Sequence, residues 1–242
     1  MASYELLYWP GLQGRGEFVR LALEEAGAAY RDVAQEGAEG KASRLVAKGL
    51  TEAGLATPPF APPYLRHGRR VIGQTAAILL YLGDRHGLAP KTETGRLWTH
   101  QLQLTIADAV TEAHDTHHPV ASQLYYEDQK PEAKRRAEDF CRHRMPKFLG
   151  WFETVLKRNP KGGGHLVGAR ISYADLSLFQ LVAGLGYAFP KATRRALRRT
   201  PQVAALAKAV AARPRIAAYL ASERRIPFNE YGIFRNYPEL DL

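Results

Sequence analysis

The first ninety residues combine short apolar runs with one amphipathic stretch, which predicts a mixed α/β fold. Residues 4–9 form an apolar and aromatic run that stops at Pro10-Gly11, as expected for a buried parallel strand. Residues 15–26 carry apolar side chains at helical spacing and stop at Gly27, and residues 29–33 predict the next strand. This order begins a βαβ unit.

The next segment has a weaker pattern and then a clear hairpin. Residues 34–59 are rich in Gly and Ala and predict irregular structure with one short helix. Residues 64–66 and 70–72 predict two strands joined by a turn at His67-Gly68, and Thr75 is the expected N-cap of a helix over residues 76–86. The order β-α-β, connection, β-β-α predicts a thioredoxin-like domain over residues 1–86.

Beyond Pro90 the pattern becomes helical throughout, which predicts a second, all-α domain over residues 90–242. One long helix is expected over residues 97–113, and another over 140–156, which Pro146 is expected to kink. Ser172 and Asp175 have the spacing of a capping box at the start of a further helix. Two shorter helices are expected over residues 193–210 and 214–222.

Composition narrows the class of protein. Of the 242 residues, 45% are hydrophobic and 24% charged, which is globular composition. The chain has no apolar run long enough to span a bilayer and no secretory leader, so a cytoplasmic protein is expected. Cys141 is the only cysteine, which excludes intrachain disulfides and CxxC chemistry. The net charge of +10 is dispersed and fits solvated helix faces, so neither nucleic acid nor membrane is predicted as a partner.

Three histidines near the end of the long helix are the one candidate metal cluster. His114, His117 and His118 have a spacing that could place imidazoles on one helical face. Histidines at a helix end commonly interact with its terminal carbonyls, and Pro119 ends this helix. This interpretation is favoured, and no metal site is predicted. GxGxxG, GxxxxGK[ST] and GxSxG are also absent, so the obvious nucleotide enzymes and hydrolases are excluded.

Two positions in the first domain could bind a ligand. Tyr8 ends the first strand, and open α/β sheets bind ligands outside the carboxyl ends of their strands. The alternative for Tyr8 is a core aromatic. Gln74-Thr75 lies at a strand-to-helix junction, where an amide, a hydroxyl and helix N–H groups could hold a carboxylate. Ordinary capping by Thr75 is compatible with that role.

These residues resemble a known family. The segments Tyr4-Glu-Leu-Leu-Tyr8-Trp-Pro, Gly14-Arg15-Gly16-Glu17 with Arg20, Pro63 followed by Gln74-Thr75, and the Ser172/Asp175 capping box are similar to the tyrosine-type cytosolic glutathione transferases. The likeness is to sigma-, pi- and mu-like members of a bacterial type. It covers nearly the whole chain and implies the glutathione transferase fold.

The resemblance also implies roles for the residues of the first domain. The Tyr8 hydroxyl would donate a hydrogen bond to the glutathione sulfur. Pro63 would be the cis-proline, and the backbone of Pro62 would pair with the cysteinyl part of glutathione. Gln74 and Thr75 would hold the γ-glutamyl carboxylate.

Arg15 is the candidate for a cationic field near the sulfur, and its alternative is an ion pair with Glu17 or with a carboxylate of the helical domain. A homodimer is implied, in which Glu112, or with less support Asp108, could reach the γ-glutamyl ammonium of glutathione in the neighbouring subunit. A solvated helix carboxylate is the alternative for Glu112. The glycyl carboxylate has three candidate partners, Lys41, Arg44 and Lys48, with no choice among them.

The implied activity is conjugation of glutathione to small apolar electrophiles. A glutathione-dependent isomerase or peroxidase and a non-catalytic binding protein are the alternatives. Candidates for the electrophile pocket are aromatic residues and one proline, each of which could equally be a packing residue: Trp9, Pro10, Tyr125, Tyr126, Tyr231 and Phe234. The aromatic tail over residues 226–238 is expected to pack over another part of the chain.

Overall fold

The computed structural model describes residues 4–37, 39–52 and 54–241. Its first part forms one sheet with three helices. The elements are β1 (Tyr4–Leu7), α1 (Gly16–Ala26), β2 (Tyr30–Asp32), α2 (Glu39–Leu50), β3 (Tyr64–His67), β4 (Arg70–Gly73) and α3 (Thr75–His86). The predicted order of strands and helices is confirmed.

The sheet has the strand order β2-β1-β3-β4. β1 is parallel to β2 and antiparallel to β3, and β3 is antiparallel to β4. Leu7 lies opposite Tyr64, which in turn lies opposite Gly73. Tyr8, Pro63 and Gln74 are the next residues along these three strands, so the register brings them to the same edge of the sheet.

The second part is helical, as predicted, and the described residues beyond 90 form no strand. The helices are α4 (Glu93–His114), α5 (Lys130–Asp139), α6 (Met145–Arg158), α7 (Tyr173–Ala188), α8 (Pro190–Arg199), α9 (Pro201–Ala211) and α10 (Pro214–Leu220). A π-helical turn, Phe140–Arg144, joins α5 to α6, in which Pro146 is the second residue. No helix of the described residues combines the length and apolar content needed to cross a bilayer.

Helix α7 is the centre of the helical part, with thirteen of its sixteen residues buried. It packs against α1, α4 and α9 and so connects the sheet layer to the helices. The predicted capping box is present: Asp175 Oδ2 accepts from the Ser172 N–H and from its hydroxyl, both at 2.7 Å. Asp175 Oδ1 also accepts from the Leu166 N–H at 2.7 Å, so one buried carboxylate anchors both the helix and the preceding loop.

Two boundaries differ from the sequence prediction. The stretch 193–210 is two helices, because Pro201 lacks an N–H donor and Thr200 before it has the non-helical angles φ −129° and ψ 66°. The segment 34–59 contains the 12-residue helix α2, longer than expected. Its buried face consists mainly of Ala42 and Val46, which is too little apolar surface to give a strong periodic pattern.

Candidate functional site

Tyr8 lies at the carboxyl end of β1 with only 6% of its surface exposed. Its hydroxyl oxygen accepts a hydrogen bond from the Arg15 N–H at 3.0 Å. No acceptor for the hydroxyl proton is found in the part of the chain that the structure describes. Burial raises the pKa of Tyr8, while the Arg15 N–H and the Arg15 and Arg20 charges oppose that rise. The phenol is therefore neutral at pH 7 and has a proton to donate.

Two glycines allow the loop after β1 to close over the Tyr8 ring. A Cβ on Gly14 would lie 2.0 Å from the Tyr8 hydroxyl oxygen, and a Cβ on Gly16 would lie 2.8 Å from Cγ of the same ring. Gly14 also has a φ of +42°. Any side chain at position 14 would displace the hydroxyl, so the Gly-Arg-Gly sequence is a steric requirement of this site.

Arg15 connects Tyr8 to the start of α3. Its backbone N–H bonds the Tyr8 hydroxyl, and its carbonyl accepts from the Thr75 hydroxyl at 3.2 Å. The prediction that Thr75 caps α3 is wrong, because Thr75 is the first helical residue and its hydroxyl is used by Arg15. The N-cap is Gln74, with a φ of 64°, a region that residues other than glycine adopt at a cost and that is common at functional sites.

A crevice of about 110 Å³ lies between this junction and α4. Arg15, Gln74 and Thr75 line one wall, and apolar α4 residues such as Ile106 and Val110 line the other. The Ile78 N–H donates to the Gln74 carbonyl and is the first amide of α3 with a partner within the helix. The N–H groups that precede it in α3 are therefore open to an anion. Larger cavities of about 310 Å³ and 330 Å³ are lined by neither Arg15 nor the Gln74-Thr75 junction, so cavity volume does not locate this chemistry.

The Arg15 side chain is not paired with Glu17, and that alternative is wrong. Its Nη2 contacts the Thr111 hydroxyl at 3.4 Å, and within the described residues no carboxylate pairs with it. Glu17 is instead held by Arg20, Arg225 and Tyr219. The Arg15 charge is thus uncompensated beside the hydroxyl.

The peptide bond between Pro62 and Pro63 is cis, as the resemblance implied. Pro63 is buried and lies next to Tyr8 at the end of the paired strands, and Pro62 is half-buried. Contact of their backbone with glutathione stays a prediction. Lys41, Arg44 and Lys48 all lie on α2 with exposed side chains.

Glu112 is engaged within its own chain. Its two oxygens accept from Arg144 Nε at 2.8 Å and Nη2 at 2.6 Å, and Arg136 lies 4.0 Å away. The solvated carboxylate expected as its alternative is therefore wrong, because a bidentate guanidinium fixes it. Its reach into a neighbouring subunit stays a prediction.

A buried ionic network, which sequence reasoning missed, holds the loop before Gly14. Arg20 is fully buried and donates to Glu17 at 3.2 Å, to Asp32 at 2.5 Å and to the Leu12 and Gln13 carbonyls. We call Arg20, Glu17, Asp32, Tyr219 and Arg225 the Arg20 network. The available indication was that Glu17 and Arg20 lie on the apolar, buried face of α1.

The aromatic tail packs on this same loop, as expected. Gln13 donates to the Ile226 carbonyl at 2.5 Å, and Asn229 donates to the Gly11 carbonyl at 2.8 Å. Phe234 is buried against Gly184. It is a packing residue rather than part of an open pocket.

The other aromatic candidates divide in the same way. Tyr126 is 3% exposed and stacks on Tyr237 at 3.9 Å, so it too is a packing residue. Trp9, Tyr125 and Tyr231 are 37%, 77% and 79% exposed and remain available to a ligand.

The three histidines meet at the end of α4, but their carbonyl partners are not those expected. His117 Nε2 lies 2.9 Å from the Ile233 carbonyl and His118 Nδ1 lies 3.0 Å from the Leu124 carbonyl. Neither carbonyl belongs to α4. The interpretation as helix-end contacts is therefore wrong.

Comparisons with known proteins find similarity to glutathione S-transferases. A family model described as "Glutathione S-transferase, C-terminal domain" matches residues 114–223. Glutathione S-transferase P 1 of Xenopus laevis is 26% identical over 228 residues, covering 93% of this chain and 95% of that protein.

Solved structures show the same fold. The Pi-class glutathione S-transferase of Onchocerca volvulus has a TM-score of 0.72 at 21% identity, covering 95% of this chain and 99% of the other. Prostaglandin synthase D of Nilaparvata lugens has a TM-score of 0.71 at 21% identity, covering 93% and 100%. The fold is thus shared over nearly the whole chain.

Proposed function

We propose that this chain, which is similar to glutathione S-transferases over nearly its whole length, conjugates glutathione to small apolar electrophiles, with Tyr8 stabilising the thiolate. In this proposal residues 1–86 bind glutathione, and residues 90–242 supply the electrophile site and dimer contacts. Cytoplasmic detoxification is the setting proposed.

The Tyr8 hydroxyl is the observation that carries the proposal. It accepts from Arg15 and keeps its own proton, so it can donate to a sulfur placed at the carboxyl end of β1. A free thiol has a pKa of about 8.5, and about 2 to 3 kcal/mol of thiolate stabilisation makes the anion predominant at pH 7. The thiol proton leaves to solvent. The sulfur then forms a bond to the electrophilic carbon, and a leaving group departs with its electron pair.

Glutathione recognition follows from the charges around the crevice. The γ-glutamyl carboxylate would bind the open N–H groups of α3 and the Gln74 amide. The Thr75 hydroxyl already donates to the Arg15 carbonyl, so the backbone N–H of Thr75 is the better donor to the carboxylate. The Pro62 carbonyl would accept from the cysteinyl N–H, in the manner of an added strand.

A homodimer is part of the proposal. Phe60 is 93% exposed, Leu97 is 65% exposed and Leu104 is 47% exposed, and a partner subunit would bury such side chains. Arg144 already pairs with Glu112, so Glu112 would reach the partner's site as a member of that ion pair. Light scattering at micromolar concentration that shows monomer alone would remove this part.

The test of Tyr8 is the ionisation of bound glutathione. In Tyr8→Phe we expect the pKa of the bound thiol to rise by about 1.5 to 2 units, with glutathione still bound, because about 1.4 kcal/mol corresponds to one unit. Ultraviolet absorption of the thiolate reports this titration.

Tyr4→Phe is the matched control, since Tyr4 lies on the same strand and its hydroxyl contacts His86 at 2.9 Å. An unchanged thiol titration in Tyr8→Phe, equal to that of the control, would show that Tyr8 is not the group that activates the thiol.

A second candidate keeps glutathione as cofactor in an isomerase or peroxidase reaction. The likeness to a structure titled as prostaglandin synthase D favours retaining it. A panel of chloronitrobenzene, hydroperoxide and isomerisable substrates separates the reactions. Every reaction should need the Tyr8 hydroxyl, but only one of them should reach a high turnover. If a glutathione-affinity column does not retain the protein, the non-catalytic alternative is favoured instead.

A further inference from the structure

The three histidines at the end of α4 form a compact group. The ring centroids of His114 and His117 lie 5.0 Å apart, those of His114 and His118 5.0 Å, and those of His117 and His118 4.8 Å. One ring nitrogen from each lies within 4.8 Å of the other two.

The hydrogen-bond partners fix which nitrogen of each ring carries the proton. His117 Nε2 and His118 Nδ1 lie 2.9 Å and 3.0 Å from carbonyl oxygens, which can only accept. The Gln129 amide nitrogen is a weaker contact of His118 Nδ1 at 3.5 Å, because it donates to the Leu124 carbonyl at 3.0 Å. His114 Nδ1 faces a carboxylate oxygen of Asp115 at 3.2 Å, which also accepts. Each ring therefore donates one N–H, and an unshared electron pair remains at His114 Nε2, His117 Nδ1 and His118 Nε2.

This pattern is the one that metal-bound histidines have. A ligating histidine commonly donates its other N–H to a carboxylate or a backbone carbonyl, which fixes the tautomer and the ring orientation. His117 Nδ1 is buried and has no hydrogen-bond partner in the described part of the chain. A buried lone pair without a donor costs free energy unless a ligand uses it.

The surroundings keep these lone pairs available at neutral pH. Burial lowers the pKa of His117 to about 2, and burial also lowers the pKa of His114 and of His118. Neutral imidazole is the form that binds metal. Arg235 and Arg15 add to the lowering and would weaken the attraction for a cation, so moderate affinity is expected.

Hydrogen bonds from Gln129 fix the loop that follows the three histidines. Gln129 is 1% exposed; its Oε1 accepts from the Val120 N–H at 2.9 Å and its Nε2 donates to the Leu124 carbonyl at 3.0 Å. The carbonyl that orients His118 is therefore fixed by a buried side chain. His118 is half-buried, which leaves a path for an ion from solvent.

We propose that His114, His117 and His118 form a three-histidine site for a divalent transition metal of the zinc type, with the fourth position open to water. Zinc–nitrogen bonds of about 2.0 to 2.1 Å in a tetrahedral site need nitrogens about 3.4 Å apart, so the rings close on the ion by rotation of their side chains. Imidazole ligands suit Zn²⁺, Cu²⁺ and Ni²⁺ rather than Mg²⁺ or Ca²⁺.

The test uses the full chain after treatment with a chelator. Isothermal titration with ZnCl₂ is expected to give one equivalent bound, and CoCl₂ is expected to give the visible absorption bands of tetrahedral cobalt. His118→Gln and His114→Gln are each expected to weaken zinc binding at least tenfold and to abolish the cobalt bands. Neither experiment requires glutathione, so the result is independent of the proposed function.

His143→Gln is the matched control, because it removes an exposed histidine on the π-helical turn, outside the cluster. Zinc affinity within twofold of the parent is expected there. Thermal melts without metal establish that each variant is folded. Absence of zinc binding to the parent, or equal affinities in His118→Gln and the parent, overturns the proposal.

Discussion

The Arg20 network and the three-histidine cluster both bury polar side chains beside the C-terminal tail, yet they handle charge in opposite ways. In the first, Arg20 and Arg225 lie against Glu17 and Asp32, so the positive and negative charges balance. In the second, burial holds the rings neutral. An interior retains charge only where a partner of opposite sign is adjacent.

Each region also leaves one buried nitrogen without a partner among the described residues, namely Arg20 Nη2 and His117 Nδ1. The guanidinium nitrogen carries only N–H donors, so a water molecule or an acceptor can satisfy it. The imidazole nitrogen carries a lone pair and can bind a cation. The chemistry of the unpartnered atom, rather than its burial, distinguishes a structural cluster from a candidate ligand site.

The largest effect is expected when the balance of the Arg20 network is broken. Arg20→Met removes the guanidinium that pairs with both Glu17 and Asp32, and loss of one partner from a buried ion pair costs about 3 to 5 kcal/mol. Urea unfolding at pH 7 measures the change. A loss below 1 kcal/mol would mean that the two carboxylates find other compensation.

A smaller loss is expected from Tyr219→Phe. The Tyr219 hydroxyl donates to Glu17 at 2.8 Å, and a hydrogen bond to a charged group contributes about 1.5 to 3 kcal/mol. Glu17 keeps Arg20 and Arg225 as partners, so the lower half of that range is favoured. A double-mutant cycle with Arg20→Met measures the coupling, and strictly additive losses would contradict a connected network.

The histidine cluster is expected to give a pH dependence. The pKa of His117 is about 2 in the folded protein, below the unfolded value, so unfolding takes up a proton once the pH falls below about 6.5. The His117 contribution is complete above that pH and declines toward pH 2 by up to about 1.4 kcal/mol per pH unit.

The comparison is between the parent and His117→Gln, in metal-free buffer, from pH 7 to pH 5. Glutamine retains an amide N–H for the Ile233 carbonyl but cannot titrate. The parent should lose more stability than the variant over this range. Parallel curves for the two proteins would show that His117 ionises as readily when folded as when unfolded.

The smallest effect is expected from Arg31→Met, which is the exposed counterpart of Arg20→Met. Arg31 also pairs with two carboxylates, Glu5 and Glu36, but on the surface. Exposed pairs are screened by water, contribute little to stability and weaken further in salt. Equal losses in Arg31→Met and Arg20→Met, measured by urea unfolding, would remove burial as the explanation of the difference.

The sequence alone was enough to predict the elements that meet at the sheet edge. Tyr8, Pro63 and Gln74 each follow or precede a strand with a distinct apolar pattern, so strand order brings them together. Side-chain partners far apart in the chain were not predictable in this way. The pairing of Glu112 with Arg144, for example, depends on how two helices pack, which periodicity does not encode.

The errors at Thr75 and at the three histidines have a related cause. Both residue types have favoured local partners, a helix N–H for threonine and helix carbonyls for histidine. Each was expected to use them. In the structure Thr75 bonds to Arg15 and His117 bonds to Ile233, because tertiary packing offers a competing acceptor.

The tail that packs on the β1–α1 loop also affects how the protein is made. Glu17 and Arg225 are separated by 208 residues, and Gln13 and Ile226 by 213 residues. During synthesis the N-terminal sheet emerges from the ribosome long before these partners exist, and domains generally fold from the N-terminus. The loop that carries Gly14 and Arg15 therefore gains its final contacts only after Arg225 and Ile226 have been synthesised. A nascent chain is expected to hold a folded sheet before its Tyr8 hydroxyl is in a finished site.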